Sequence, residues 1–337
     1  MAIDKLTQEE FMEEFKEQLS EALSDHEIQY ESKTVHKPNE DLEGLSVRVM
    51  DVEGGRVAPT LYPKDLYNDY LSGKSVEAIV SDRAELIKYQ PEFDLNSLSA
   101  ENAKEHIRFS LVSTKENEEW LKTVPHDEIG DISAVPRWHL DDTPYGSASF
   151  VINDQMCQHL QLTKEEVLTI ARENTENGTF SVQGLSETMA EMMGVPEDEI
   201  KEMFGNSETK EPMYVITNES KVDGAAAMLS DSTMQAAHDK IGEDFYVIPS
   251  SRHEIIAVPE SMVSNPEDIK NMVTEVNSSV VDKADYLSDN VFHYDSIEHE
   301  LSPVFDEDGL IIEHNEAGLS DLSNDMDGIS DSGMGGR

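Results

Sequence analysis

The stretch DFYVIPSSRHEIIAVP, residues 244–259, decides the fold class of this chain. Its two apolar runs, at 245–248 and 255–258, have the length and composition of buried β-strands. The polar residues between them, 249–254, are typical of the connection in a β-hairpin. The residues Asn-Pro-Glu-Asp at 265–268 then predict the start of a helix. Strands and helices that follow one another without a regular βαβ alternation indicate an α+β fold.

Upstream, the first 125 residues predict a lobe of their own. Thr7 and Glu10 have the spacing of a capping box, so a helix is expected to begin there. Strand-like alternation then runs through 45–62, with a turn at Gly54-Gly55. Further helices are predicted near 64–72, 75–90 and 100–122. Residues 1–125 are therefore expected to form a helix–meander–helix lobe.

Residues 126–303 predict a second, α+β lobe. Strands are expected near 129–140 and 147–153, and Thr163 with Glu166 marks another capped helix start. Before the hairpin, a helix is predicted at 185–193, a strand at 213–217 and a helix near 231–241. We therefore expect two closely packed lobes of small mixed or antiparallel sheets with flanking helices, divided near residue 125.

The charge of the chain is its extreme property. Its 337 residues include 71 acidic and 25 basic side chains, which gives a formal net charge of −46. Residues 304–337 carry nine acids and one arginine, so they are predicted to form a disordered acidic tail. A charge of this size repels nucleic acid and anionic lipid. We therefore expect neither direct nucleic-acid binding nor membrane association.

The rest of the composition predicts a soluble cytoplasmic protein. Hydrophobic residues make up 37% of the chain, which is enough for a packed core. No run approaches ~18 consecutive apolar residues, and the polar N-terminus does not have the pattern of a secretory signal. The single cysteine excludes an intramolecular disulfide framework and a cysteine-based zinc site.

Several stretches together resemble one family. They are KENEEWLKTVPHDEIGDISAV (115–135), the helix at 162–175, PMYVITN (212–218), the hairpin at 244–259, MVTEVN (272–277) and LSDNVFHYD (287–295). In order and spacing they resemble the domain-of-unknown-function family numbered 5688, of anaerobic gut bacteria and their mobile elements. The resemblance spans roughly residues 7–300. It implies a shared fold, and it does not imply an activity because none is known for the family. Arg252 occupies a position that is usually apolar in that family.

The hairpin connection contains the candidate site residues Ser250, Ser251, Arg252, His253 and Glu254. A hydroxyl, an imidazole and a carboxylate could serve as nucleophile, base and orienting group of a hydrolase. However, adjacent strand residues point to opposite faces, and the chain has no Gly-x-Ser-x-Gly elbow. We interpret the segment as a polar connection that could contact a ligand or partner, and we assign no catalytic residue.

The remaining motifs predict neither a cofactor nor a metal site. Cys157 and His159 are close in sequence, but a catalytic Cys–His pair is brought together by the fold, so this spacing does not indicate one. Cys157 is expected to be a buried thiol. His293 and His299 are six residues apart and would lie on different faces of a helix. The segment 323–328 resembles half a calcium loop but lacks its first acid and its bidentate glutamate. No glycine-rich phosphate loop is present.

The acidic residues could instead imitate nucleic acid. A globule of this size exposes about 300 Å² per net charge, against about 105 Å² per charge on duplex DNA, so a mimic must gather its acids into rows. The candidate face consists of Glu187, Glu191, Asp198 and Glu202, because i,i+4 spacing aligns such residues along a helix. The nearby methionines Met189, Met192, Met193 and Met203 are interpreted as core-filling.

The lack of a convergent catalytic set and the family resemblance favour a non-enzymatic binding or accessory protein of bacterial mobile elements, although an enzymatic role stays open. The expected partner is a protein, and a basic or nucleic-acid-binding one would suit the charge. The alternative is an acidic nucleic-acid mimic that inhibits a DNA-binding defence protein of the anti-restriction or anti-CRISPR type. A hydrolase that uses Ser250 or Ser251 with His253 is the third hypothesis.

Overall fold

A computed structural model describes residues 5–50, 58–89, 97–140, 149–203, 211–306 and 308–312. The helices are α1 (Gln8–Ala22), α2 (Pro63–Leu71), α3 (Val76–Tyr89), α4 (Ala100–His106), α5 (Glu118–Leu121), α6 (Asp154–Leu160), α7 (Lys164–Glu176), α8 (Leu185–Met193), α9 (Glu197–Met203), α10 (Asp231–Ile241) and α11 (Pro266–Ser279). The strands are β1 (Ile28–Lys37), β2 (Glu40–Val49), β3 (Thr60–Leu61), β4 (Ile107–Ser113), β5 (Asp127–Ile129), β6 (Ile132–His139), β7 (Ser149–Val151), β8 (Phe180–Gly184), β9 (Tyr214–Asn218), β10 (Phe245–Ser251), β11 (Glu254–Pro259), β12 (Phe292–Asp295) and β13 (Glu300–Pro303). The α+β fold class is confirmed.

The N-terminal strands form one antiparallel sheet in the order β1-β2-β3, covered by α1, α2 and α3. The predicted start of α1 is confirmed, because the Thr7 hydroxyl accepts from the backbone N–H of Glu10 and the Glu10 carboxylate accepts from that of Thr7. Phe11, Phe15 and Leu19 recur every four residues and are completely buried in the apolar core of this unit.

Two more antiparallel sheets lie in the rest of the described chain. The central sheet has the order β4-β6-β5, with β7 also paired to β6, and the C-terminal sheet has the order β13-β12-β10-β11-β9-β8. One apolar core joins both sheets and extends along the chain from Ala103 to Tyr294. The helix α7 lies against β4 and begins at the predicted capping box of Thr163 and Glu166.

The division at residue 125 is not the one that the packing follows. Strand β4 lies before residue 125 and β6 after it, yet they pair over their length, from Ile107 with Trp138 to Ser113 with Ile132. A boundary at 125 would divide this sheet. The two apolar cores instead separate between Ile87 and Leu98, so β4 belongs to the C-terminal unit.

The helix predicted at 100–122 is interrupted by a strand. Helix α4 ends at His106, and the next residues form β4, in which all residues except Arg108 are buried. A strand buried on both faces shows no polar alternation, so its apolar run resembles part of a buried helix. The periodicity of residues 107–113 alone therefore could not distinguish a buried strand from a buried helix.

The disordered tail was predicted to begin at residue 304, but the folded part of the chain extends beyond that residue. Val304 and Phe305 are buried, the Asn290 amide donates to the carbonyl of Phe305, and Phe305 forms a β-bridge with Ile311. Residues 304–306 and 308–312 are thus part of the folded molecule. The rest of the tail, the Gly54-Gly55 turn and the turn at 141–146 lie outside the described residues.

The tip of the β1–β2 hairpin joins the two units. Its loop is Pro38-Asn39, and Asn39 has a φ of 66°, as the third residue of a type II turn requires. Asn39 is 3% exposed, and its side-chain amide donates to the carbonyls of Lys283 and Tyr286. The tip of an N-terminal hairpin is therefore buried in the C-terminal unit.

Asn117, at the end of the turn after β4, completes this junction. Its Oδ1 accepts from the backbone N–H of Asn39 at 2.9 Å, and its Nδ2 donates to Asn39 Oδ1 and to the carbonyl of Ser113, both at 2.7 Å. His36 Nε2 lies 3.0 Å from the same Asn117 Oδ1, and the His36 ring stacks on Trp120. The junction thus satisfies its buried polar groups within one network.

Two substitutions at Asn39 separate the side-chain bonds from the backbone conformation. Asn39→Gly keeps the positive φ but loses the bonds, so we expect the free energy of unfolding to fall by about 2 kcal/mol. Asn39→Ala should cost about 1 kcal/mol more, because alanine disfavours this conformation. Urea denaturation measures both values, with the exposed Asn177→Ala as the control. A wild-type midpoint for Asn39→Gly would show that the amide bonds do not stabilise the junction.

Candidate functional site

The candidate segment lies at the tight end of the β10–β11 hairpin. Ser250 and Ser251 end β10, Glu254 begins β11, and only Arg252 and His253 connect the strands. The connection is shorter than the predicted six residues, because a register shift between Ile248 and Ser251 lets β10 continue. The backbone N–H of Arg252 donates to the carbonyl of Asp285 at 2.9 Å, which fixes the hairpin end to the segment before β12.

The Arg252 side chain turns inward and pairs with Asp223. Arg252 Nε is 3.0 Å from Asp223 Oδ1, and Nη2 contacts the same oxygen. Ser110, on β4, donates its hydroxyl to Asp223 Oδ1 at 2.9 Å and lies 3.3 Å from Arg252 Nη2. Asp223 is 4% exposed, so this is a buried ion pair with a hydroxyl in contact with both charges.

The charges around Asp223 decide its ionisation. Burial by itself would raise the pKa of Asp223, but the charges of Arg252 and Arg137 and the hydrogen bonds from Arg252 and Ser110 hold the pKa below its usual range. The carboxylate is therefore ionised at neutral pH, and removing it would leave buried cations without their anion.

Close backbone contact holds Asp223 in position. Asp223 has a φ of 56°, and a Cβ on the next residue, Gly224, would lie 2.3 Å from Thr217 Oγ1 and 2.4 Å from the carbonyl oxygen of His253. Only glycine permits this approach. Thr217 Oγ1 donates to that same carbonyl at 2.7 Å, so the turn before the 3₁₀ helix Gly224–Leu229 is locked against the hairpin end.

His253 is held between two partners. Its Nδ1 accepts from the backbone N–H of Asp223 at 3.3 Å, and its Nε2 lies 3.1 Å from Asp285 Oδ1. Since a backbone N–H can only donate, Nδ1 carries the lone pair and Nε2 carries the hydrogen. Both ring nitrogens are thereby occupied.

The two serines bond to backbone atoms and not to the imidazole. Ser251 Oγ accepts from the backbone N–H of His253 at 3.1 Å, and Ser250 Oγ is 3.4 Å from the carbonyl oxygen of Glu254. A serine hydrolase needs a ring nitrogen free to take the serine proton. Although Asp285 places a carboxylate beside the His253 ring, the other ring nitrogen accepts from the backbone of Asp223, so the histidine is oriented to brace the turn.

Sequence reasoning identified Arg252 and His253 but missed their partners, Ser110, Asp223 and Asp285. These come from three other segments, and nothing in their local pattern predicts a contact with the hairpin. The sequence does indicate a turn at Asp223-Gly224, because Asp followed by Gly is typical of a tight turn, but it does not indicate what that turn contacts.

The four acids of the candidate mimic face lie on α8 and α9. Glu187 Oε2 is 3.3 Å from Lys240 Nζ, and Glu191 Oε1 is 3.7 Å from Lys221 Nζ. Asp198 and Glu202 are exposed, and Lys201 between them pairs with Glu197. Lysines therefore interrupt this face.

The other candidate chemistry is also located. Cys157 is buried on α6, and burial raises the pKa of its thiol. Within the part of the chain that the structure describes, there is no group of three His, Cys, Asp or Glu side chains placed to hold a metal ion. Over the same residues, no helix combines the length and apolarity needed to cross a membrane. The half calcium loop at 323–328 lies outside the described residues.

Comparison with known proteins identifies the family. A model described as a family of unknown function, DUF5688, matches residues 8–296. The chain belongs to this family. The match includes the hairpin end, Asp223 and the Asn39 junction, so the polar network described above lies inside the family domain. No curated protein and no solved structure matches the chain.

Replacement of the buried carboxylate tests the ion pair. Asp223→Asn should lower the free energy of unfolding by about 3 kcal/mol at neutral pH, because it leaves Arg252 buried without an anion. Since folding lowers the Asp223 pKa, its contribution is present above the unfolded-state value of about 3.9 and is lost as the pH falls through the folded-state pKa. The difference in the free energy of unfolding between Asp223→Asn and wild type should therefore become smaller below about pH 4.

Urea denaturation across this pH range measures this difference. Asp69→Asn is the matched control, because that carboxylate pairs with Lys74 and Arg83 in a more exposed position. It should cost less than about 1 kcal/mol. Equal stability of Asp223→Asn and wild type at neutral pH would contradict a stabilising ion pair.

The geometry of His253 also predicts the reactivity of the two serines. A fluorophosphonate reagent should leave Ser250 and Ser251 unlabelled, because neither hydroxyl has a base to activate it. Mass spectrometry of the treated protein detects the adduct, with an active serine hydrolase as the positive control. Labelling that disappears in His253→Gln would show a working serine–histidine pair.

Proposed function

We propose that this chain is a cytoplasmic, non-enzymatic binding protein, an accessory protein of bacterial mobile elements, and that its partner is a basic protein. The observation that carries the proposal is the exposure of three methionines on two helices that contact each other, Met192 and Met193 at the end of α8 and Met203 at the end of α9. We call these three residues the methionine surface. The association with mobile elements rests on the family resemblance.

The methionine surface lies where a core residue was expected. Met192, Met193 and Met203 are 78%, 55% and 72% exposed, so their interpretation as core-filling residues is wrong. Helix α8 buries Ser186 and Ala190, and α9 buries Ile200. The three methionines lie off these buried faces.

Exposed methionines support recognition of a partner. The unbranched side chain adapts its shape to what it contacts, and methionine is enriched at the centres of protein interfaces. Large apolar side chains grouped on a surface are also a mark of interaction sites. A binding role therefore explains the exposure of the three methionines, which the stability of the fold does not require.

The acids on the same two helices indicate the chemistry of the partner. Glu191, Asp198 and Glu202 are exposed beside the methionines, and the whole chain carries 46 more acidic than basic side chains. Charge complementarity favours a partner segment that presents lysine or arginine around apolar side chains. An amphipathic basic helix has this composition.

The alternatives have less support. A nucleic-acid mimic would use rows of unpaired acids, whereas Lys240 and Lys221 lie against Glu187 and Glu191. A hydrolase would need a free ring nitrogen on His253, and both are engaged. The binding role needs neither arrangement.

Affinity measurements with matched variants test the proposal. The full chain is used to recover its partner from the native host, and the purified partner is then titrated calorimetrically. The paired change Met192→Gln and Met193→Gln should weaken binding at least about tenfold, since central apolar contacts dominate interface energies. Asp198→Asn with Glu202→Gln should weaken it chiefly at low salt.

Met272→Gln is the control, because Met272 is 51% exposed on a different helix, α11. It should leave the affinity unchanged. Unchanged binding by both paired variants, or an equal effect of Met272→Gln, would refute the assigned surface. Binding that duplex DNA displaces, and that responds to the acid pair but not to the methionine pair, would favour the mimic.

A further inference from the structure

Strand β1 forms an open edge of the N-terminal sheet. Among the described residues, the strand order β1-β2-β3 places a neighbouring strand on only one side of β1. The register with β2 continues without a break from Ile28 with Val49 to Lys37 with Glu40. A long, regular edge of this kind is a template on which another extended chain can pair. In its middle, the four residues 31–34 are all exposed.

The loop of the β1–β2 hairpin determines which backbone groups point outward. A two-residue loop, here Pro38-Asn39, is closed by a pair that exchanges both backbone hydrogen bonds, so Lys37 with Glu40 is such a pair. These pairs alternate along the strands, which directs the backbone groups of Glu31 and Lys33 to β2. The residues whose N–H and C=O groups point to the open edge are therefore the even-numbered ones, Tyr30, Ser32 and Thr34.

The solvent face of this edge carries two opposite charges. Glu31 and Lys33 share one face of the strand, and Tyr30 packs against the apolar core on the other. Across the hairpin, Glu31 lies opposite Ser46 and Lys33 lies opposite Gly44, so neither charge faces another charge directly on β2. Both side chains are exposed.

We propose that β1 pairs antiparallel with β1 of a second copy of this chain, with the two-fold axis at Ser32. The pairing would join the two three-stranded sheets into one continuous sheet. In this register Ser32 lies opposite Ser32 of the second copy, and Tyr30 lies opposite Thr34 of the second copy. These are the residues whose backbone groups point outward, so each such pair exchanges both backbone hydrogen bonds.

The same register makes the charges complementary. Glu31 lies opposite Lys33 of the second copy, and the symmetry repeats this contact on the other side of the axis. These pairs alternate with the hydrogen-bonded ones, and in them the opposite side chains approach more closely. An axis at Glu31 or at Lys33 would instead place like charges opposite each other. The two charges therefore specify the register.

The composition of β1 also suits contact between two acidic chains. Strand β1 holds two lysines and one glutamate, whereas the whole chain has 71 acidic and 25 basic side chains. Two copies with a net charge of −46 repel each other, but at an ionic strength of about 0.15 M exposed charges more than about 8 Å apart are largely screened. The local charges at the contact then decide whether two copies can approach, and a contact centred on Ser32 opposes no acids to one another.

Sedimentation equilibrium of the full chain at constant ionic strength tests the pairing. Wild type should dimerise as its concentration rises. Glu31→Lys and Lys33→Glu should each weaken the dimer about tenfold, because each converts two attractive pairs into two repulsive ones. The chain that carries both substitutions should dimerise as wild type does, because its charges are exchanged and remain complementary. Glu31→Lys also makes the whole chain less acidic, so general repulsion between copies would predict a tighter dimer for it.

Two substitutions of Ser32 test the backbone hydrogen bonds. Ser32→Pro removes an N–H that points to the open edge and leaves the bonds to β2 in place, so it should abolish the dimer while the chain still folds. Ser32→Ala keeps the N–H and is the matched control, which should dimerise as wild type does. Urea denaturation checks that each variant is folded, and the charge exchange decides the question if Ser32→Pro is not.

Hydrogen exchange distinguishes pairing with a second copy from cover by the same chain. Protection of the Ser32 N–H should rise with protein concentration, whereas the Lys33 N–H, which bonds to β2, should be protected at every concentration. Protection of Ser32 that is independent of concentration would overturn the proposal, because another segment of the chain would then cover the edge. A wild type that stays monomeric, or a dimer that neither the single charge variants nor Ser32→Pro weakens, would overturn it as well. Failure of the doubly substituted chain to dimerise would overturn the assigned register.

Discussion

The buried ion pair between Asp223 and Arg252 is the constraint on which the candidate site depends. It joins the end of the β10–β11 hairpin to the turn that follows β9, and Ser110 ties both to the central sheet. A buried charge is costly without its partner, so the three segments must meet with little freedom. Gly224 allows the approach, and the His253 ring accepts a hydrogen bond from the backbone N–H of Asp223.

The same network extends to the junction of the two units. Asp285 receives the backbone of Arg252 through its carbonyl and His253 through its carboxylate, and the neighbouring Tyr286 carbonyl receives Asn39. The hairpin end and the buried tip at Asn39 are therefore attached to one short segment before β12. Because Asp285 and Tyr286 are consecutive residues, hydrogen bonds attach the junction and the site to the same short segment.

The charges on the surface of α8 and α9 differ in arrangement from those in the interior of the chain. The surface of α8 and α9 presents acids around exposed methionines, which suits a basic and partly apolar partner. The interior instead pairs the buried carboxylate of Asp223 with Arg252.

The sequence by itself determined the local elements and the family. Capping boxes at Thr7 and Thr163 specify helix starts because they satisfy free backbone N–H groups within one turn, and the apolar runs around 249–254 specify a hairpin. Tertiary structure decided which elements are buried and which distant residues come into contact. The strand at 107–113 lost its alternation because both faces are buried. Met192, Met193 and Met203 became exposed because other residues, Ser186, Ala190 and Ile200, fill the buried faces of their helices. The partners of Arg252 and His253 were likewise hidden, since Asp223 and Asp285 approach them only through the pairing of strands distant in sequence. Contacts of this kind depend on packing in three dimensions, and a single sequence carries no local signal for them.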